Sequence, residues 1–127
     1  MSTELDHEQK KIKEAAIVVV KALRENHETF NASQLVSISG SFFIWLENPS
    51  PDNLHDAIES KGEAWRIYHQ AGNLKSLDTI SGTLARATWL VGEAIWYYSQ
   101  KDRACAEYLA DLTIKGAASA KNLLVEA

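Results

Sequence analysis

The chain has 127 residues, 46% hydrophobic and 24% charged, with a net charge of −4, which suits one folded soluble domain rather than a disordered or membrane-embedded chain. Between positions 47 and 63 stand five acids (Glu47, Asp52, Asp56, Glu59, Glu63) and one base (Lys61), and these account for the whole excess. There is no basic stripe to displace counterions from phosphates, which argues against nucleic-acid binding.

The elements read as helices throughout. The expected architecture is all-α, a single domain over 1–127 built as a compact up-and-down bundle of about five antiparallel helices. The first helix spans about 4–26, with Leu5, Ile12, Ala16, Val19 and Leu23 on one face and Lys10, Lys11, Lys13 and Glu14 keeping it soluble. Its β-branched run Ile17–Val20 would also suit a strand. Helix formers flank that run on both sides and no turn residue interrupts it, so helix is preferred. The opening MSTELDHEQKKIKE is acidic and basic by turns, unlike a secretory signal.

The second helix, about 32–47, opens at Asn31, with Gln34 as capping-box partner, and turns Leu35, Ser39, Phe42 and Leu46 inward. Ser37, Ser39, Gly40 and Ser41 are poor helix interiors, and a hairpin turning at Ser39–Gly40 competes. A lone hairpin is marginal, and the other segments are helical in pattern, so helix is preferred. Asn48-Pro49-Ser50-Pro51 is the clearest break. Pro49 disfavours helix at Asn48, Ser50 caps a third helix over about 51–71, and Pro51 takes its first position. Leu54, Ala57, Ile58, Ala64, Trp65 and Tyr68 share a face, and Gly72 supplies a left-handed terminating residue.

The fourth helix, about 74–100 and capped by Asn73, holds the stretch LARATWLVGEAIWYYS. At about 100° per residue, Leu84, Ala87, Thr88, Val91, Ala94, Ile95 and Tyr98 form a broad apolar face. Trp89 and Trp96 sit on one flank, Leu90 and Tyr97 on the other, and only a thin line through Arg86 and Glu93 stays polar. A helix apolar nearly all round is covered by several neighbours, which places this one at the centre of the bundle. Asp102 caps a fifth helix over about 103–124, with Cys105, Leu109, Leu112, Gly116, Ser119 and Leu123 inward. YHQAGN at 68–73 and YSQKD at 98–102 resemble the turns of tetratricopeptide hairpins. They recur after 30 residues rather than the family's roughly 34, and the resemblance implies stacked helical hairpins only.

No catalytic motif emerges. A di-metal carboxylate bundle needs two Glu-x-x-His motifs and two further glutamates, whereas this chain has Glu4–His7 and the shortened Asp52–His55. No metal or cofactor is expected. Arg24-x-x-His27 and Arg66-x-x-His69 depart from the Arg-x4–6-His spacing of HEPN ribonucleases. Cys105 is the single cysteine, so there is no intramolecular disulfide to indicate an oxidising compartment. It lies near a helix start, which can lower a thiol pKa, but its apolar register favours packing. The longest apolar run, Ala15–Val20, is too short to span a bilayer, and a cytoplasmic location with no membrane contact is expected.

The expected function is non-catalytic protein binding by a small acidic adaptor, inhibitor or immunity-type accessory protein, with homodimerisation as one form of it. Two surfaces are candidates: an aromatic flank of Trp89, Glu93, Trp96 and Tyr97, and an acidic face of Asp52, Asp56, Glu59 and Glu63 that would attract a basic partner. Glu93, set between tryptophans, needs a counter-charge or a proton if covered, and Arg86, Arg103 and Arg24 are the candidates. The competing expectation is a small-molecule binder with an apolar pocket lined by Phe42, Phe43, Trp65, Tyr68 and Trp89.

Overall fold

In the computed structural model, residues 5–27, 31–73 and 79–126 are described, with 71–73, 79–81 and 117–126 described by backbone alone. Five helices result: α1 (His7–Glu25), α2 (Ala32–Glu47), α3 (Pro51–Asn73), α4 (Thr79–Ser99) and α5 (Arg103–Glu126). No strand occurs among the described residues. The serines that made α2 doubtful fold their hydroxyls back onto it. Ser39 Oγ donates to the Leu35 carbonyl at 3.0 Å and Ser41 Oγ to the Ile38 carbonyl at 2.8 Å, which removes their demand for a turn. Leu35, Ile38, Phe42, Trp45 and Leu46 are all buried on this helix.

The caps agree with the sequence at some ends and correct it at others. Ser50 Oγ accepts from the Asn53 N–H at 3.1 Å, with Pro51 as the first helical residue. Asp102 Oδ1 accepts from the Cys105 N–H at 3.2 Å. Between α4 and α5, Lys101 takes a left-handed φ of 67°. The Asp102 N–H bonds the Tyr97 carbonyl and the Lys101 N–H that of Tyr98, at 2.9 and 3.0 Å. That pair of bonds is a Schellman motif. Asn31 does not cap α2: its backbone is left-handed (φ 58°, ψ 23°) and its side chain makes no cap bond. Capping needs an extended residue, and asparagine tolerates the left-handed region unusually well.

The capping box belongs instead to α1. There Asp6 accepts from the Gln9 N–H at 2.8 Å and Gln9 Oε1 accepts from the Asp6 N–H at 3.1 Å, so the helix starts at His7 rather than near residue 4. At the end of α3 the helix runs through Gly72 to Asn73, so neither ends or caps as expected. Helical glycine costs only about 1 kcal/mol, a weak stop. The expected start of the fourth helix at 74 lies outside the described residues.

As its composition requires, α4 packs against all four other helices. Leu84, Ala85, Ala87, Thr88, Leu90, Val91, Ala94 and Ile95 are buried along it. Sequence neighbours pair, and α1 against α5 closes the ring. The pairs Lys61–Glu93 and Trp65–Trp89 show α3 and α4 running antiparallel. His7–Glu107 and Lys11–Asp111 show α1 and α5 running parallel. Five alternating helices closed into a ring must contain one such parallel pair, so the other neighbours around the ring are antiparallel, while α2 and α4, which also touch, run the same way. On α5 the buried residues are Ala106, Ala110 and Thr113, while Cys105, Leu109, Leu112 and Gly116 are only half-buried. The inward stripe is turned by one residue because the smallest side chains face the bundle and let α5 come close. Ser119 and Leu123 lie outside the described side chains.

One polar knot ties three helix ends. The Tyr98 hydroxyl at the end of α4 donates to Asp6. Arg103 Nη1 at the start of α5 lies 3.3 Å from Asp6 Oδ2 and 3.2 Å from Glu8 Oε2. Burial raises the Asp6 pKa, but the Tyr98 hydroxyl, the Gln9 N–H and Arg103 outweigh it and hold the carboxyl below its ordinary 3.8. Burial and the Asp6 bond push Tyr98 up to about 12. A depressed carboxylate contributes stability that is present above its unfolded pKa and lost as pH falls through the folded one. Asp6→Asn, which keeps the cap but not the charge, is expected to flatten the acid limb of the stability profile. Between about pH 5 and pH 2.5 the urea midpoint of the wild type should fall more than that of the variant. Equal falls would show that the knot adds nothing.

Candidate functional site

The seam between α3 and α4 assembles most of the singled-out residues, and a glycine sets how close the two helices come. A Cβ on Gly92 would stand 2.6 Å from Lys61 Cβ, 2.7 Å from Lys61 Cγ and 3.2 Å from Phe42 Cζ. The stem of Lys61 therefore crosses α4 directly over its backbone. Its Nζ reaches Glu93 Oε1 at 3.1 Å, with the two side chains 19% and 18% exposed, and stands 5.5 Å from the Trp96 ring centroid. Glu93 is thus paired to Lys61 on another helix. Arg86 is exposed, Arg103 is engaged at Asp6 and Glu8, and Arg24 lies in the last turn of α1; none of these three expected candidates is its partner.

One turn along the seam, Trp65 meets Trp89 with ring centroids 4.5 Å apart. Its other neighbours are edge-on, Tyr68 at 5.8 Å and His69 at 4.2 Å. The result is a strip running from Trp96 across the Lys61–Glu93 pair to Trp89, Trp65, Tyr68 and His69. Trp65 and Trp96 remain 38% and 37% exposed, and Trp89 is half-buried. Tyr97 is also half-buried and sits about 100° round α4 from Trp96, off the strip. The small residues on this flank of α4 are covered from within the chain: Ala85 is fully buried and Gly92 is covered by Lys61 and Phe42.

Asp52, Asp56, Glu59 and Glu63 are all exposed on the outer face of α3. Glu59 pairs with His55 at 3.1 Å on the same helix. The outer arc of α3 runs from exposed Trp65 through half-buried Gly62 and exposed Arg66 to these acids. The five residues expected to line a ligand pocket are divided between places. Trp65, Tyr68 and Trp89 pack on one another, Phe42 is fully buried beneath Gly92, and Phe43 lines a groove with Ile17, Val20, Lys21, Arg24 and Glu25 of α1.

Burial raises the Cys105 thiol pKa, and the charges of Asp102 and Glu93 add to it. The helix start does not activate that thiol. No group of three or more His, Cys, Asp or Glu able to hold a metal occurs among the described residues. None of the helices, over those residues, is long and apolar enough to cross a membrane. The sequence reading missed Lys61 as a site residue and His69 as a neighbour of Trp65. Both follow only from the register between α3 and α4. The chain matches no protein-family model, no curated protein and no solved structure.

Proposed function

We propose that the chain is a non-catalytic protein-binding domain that docks a basic partner on the outer arc of α3 and its seam with α4. The observation that carries the proposal is that Trp65 and Trp96 are held 38% and 37% exposed along one seam, across a largely covered ion pair. Completing the burial of a large apolar side chain yields roughly 1.5–3 kcal/mol, and aromatic anchors near the centre of a contact carry most of its energy. Lys61 braces Trp96, and Trp89 braces Trp65. Little ordering entropy remains for a partner to offset. The acids further round the outer face of α3 favour a basic partner and speed its approach more than they tighten the complex. An adaptor, inhibitor or immunity-type accessory protein of the cytoplasm would work in this way. The small-molecule alternative is weaker, because the rings of the strip cover one another rather than a shared cavity.

The test compares capture of host proteins by the wild type, Trp65→Ala/Trp96→Ala, Glu59→Lys/Glu63→Lys, and a remote control, Tyr108→Ala, which alters an exposed ring on α5. A protein retained by the wild type and the control should bind the tryptophan variant at least about tenfold more weakly. Its association with the acid-face variant should slow several-fold at low salt. Retention indifferent to both altered faces would refute the proposal.

A further inference from the structure

The outer side of α1 and α2 carries the complement of the proposed docking face. α1 and α3 share no contact among the described residues and lie on either side of α2 in the ring. Along α1, Lys10, Lys13, Lys21 and Arg24 are exposed, and among the described residues none of their charged ends joins an ion pair. On the adjoining edge, by contrast, His7 and Lys11 are matched to Glu107 and Asp111 of α5. Ile17 is 49% exposed and, on α2, Ile44 is 55% exposed. Ile17, Val20 and Phe43 line a groove of about 470 Å³ whose polar residues are Lys21, Arg24 and Glu25.

The chain therefore presents two unlike apolar surfaces: one aromatic, with acids further round α3, the other an aliphatic groove beside which the exposed bases Lys10, Lys13, Lys21 and Arg24 outnumber the exposed acids Glu14 and Glu25. Acid against acid, or base against base, would repel across a contact, which disfavours pairing either surface with itself. Opposite charge favours pairing one with the other. We propose that the occupant of the α1–α2 groove is a second copy of this chain, presenting its Trp65 edge and α3 acids to Ile17, Phe43, Lys13 and Lys21. This rests on the docking face assigned above and names its partner. Such a contact is heterologous: each added copy leaves one surface of each kind open, so assembly grows with concentration unless the rotation closes a ring.

Sedimentation equilibrium on the whole chain tests it, at about 20 mM and about 500 mM NaCl, conditions that respectively preserve and screen surface attraction. The weight-average mass of the wild type should rise with concentration at low salt and return to monomer at high salt. Glu59→Lys/Glu63→Lys and Lys13→Glu/Lys21→Glu should each be monomeric alone. Mixed one to one, they should associate again, because the intact groove of one meets the intact acidic face of the other and the two reversed surfaces are themselves opposite in charge. A wild type monomeric throughout would overturn the inference, and so would association that either reversal leaves intact. If a monomeric chain still captures another protein through Trp65 and Trp96, the docking face stands and only the identity of its partner falls. If that capture fails too, both fall.

Discussion

Gly92→Ala is expected to lower the stability of the chain by about 1–3 kcal/mol, the usual cost of forcing an extra methyl group into a packed interface. Helix propensity alone predicts the opposite sign, since alanine in a helix interior is favoured over glycine by about 1 kcal/mol. Packing decides between them. The new methyl would lie 2.6 and 2.7 Å from the Cβ and Cγ of Lys61, atoms near the backbone of α3 that cannot swing aside as a side-chain tip could, so the two helices must separate. Gly40, Gly62 and Gly116 provide the control. Each is helical, and a Cβ at any of them meets nothing within 4 Å, so the same substitution there should stabilise by up to about 1 kcal/mol. Urea unfolding of the set separates the accounts. A stabilised Gly92→Ala would mean that α3 does not sit on α4 as described.

The second large effect concerns the pair that Gly92 allows to form. Removing one member of a fully buried ion pair costs roughly 3–5 kcal/mol, whereas an exposed pair contributes about 0–1 kcal/mol. With each side chain nearly one-fifth exposed, Lys61→Met should fall between these limits, at about 1–3 kcal/mol, because Glu93 is left among tryptophans without its cation. Lys61→Met/Glu93→Met should recover most of the loss, since apolar replacements of similar length can pack beside Trp89 and Trp96. A double-mutant cycle should then give a coupling of about 1–2 kcal/mol. Strict additivity of the single costs would show that water already satisfies both charges, and that the strip is looser than its distances imply.

Local chemistry made much of this architecture legible in the sequence. Ser50-Pro51 and Asp102 announce helix starts with their own side chains, and the nearly all-apolar register of α4 dictates that several helices must cover it. The limits appear wherever the deciding partner is remote in the chain. Asp6 looks like any acid in a charged opening segment until Tyr98 and Arg103, more than ninety positions away, converge on it. Glu93 visibly needed a counter-charge, but which one depended on the antiparallel register of α3 and α4, and Lys61 lies thirty-two positions back. Phe42 and Phe43 are equivalent by composition, yet 100° of helix sends one under Gly92 and the other towards α1. On α5, hydropathy pointed to the leucines, and close approach selected Ala106, Ala110 and Thr113.

Trp96→Ala tests the docking face most directly, through the affinity of the chain for the protein it captures, measured alongside its unfolding midpoint. The ring is already more than one-third in water, so its loss should weaken binding roughly 10–100-fold, about 1.4–2.7 kcal/mol, while stability changes by less than that. Unchanged affinity, or affinity lost only in step with folding, would mean that Trp96 packs the seam and recognises nothing.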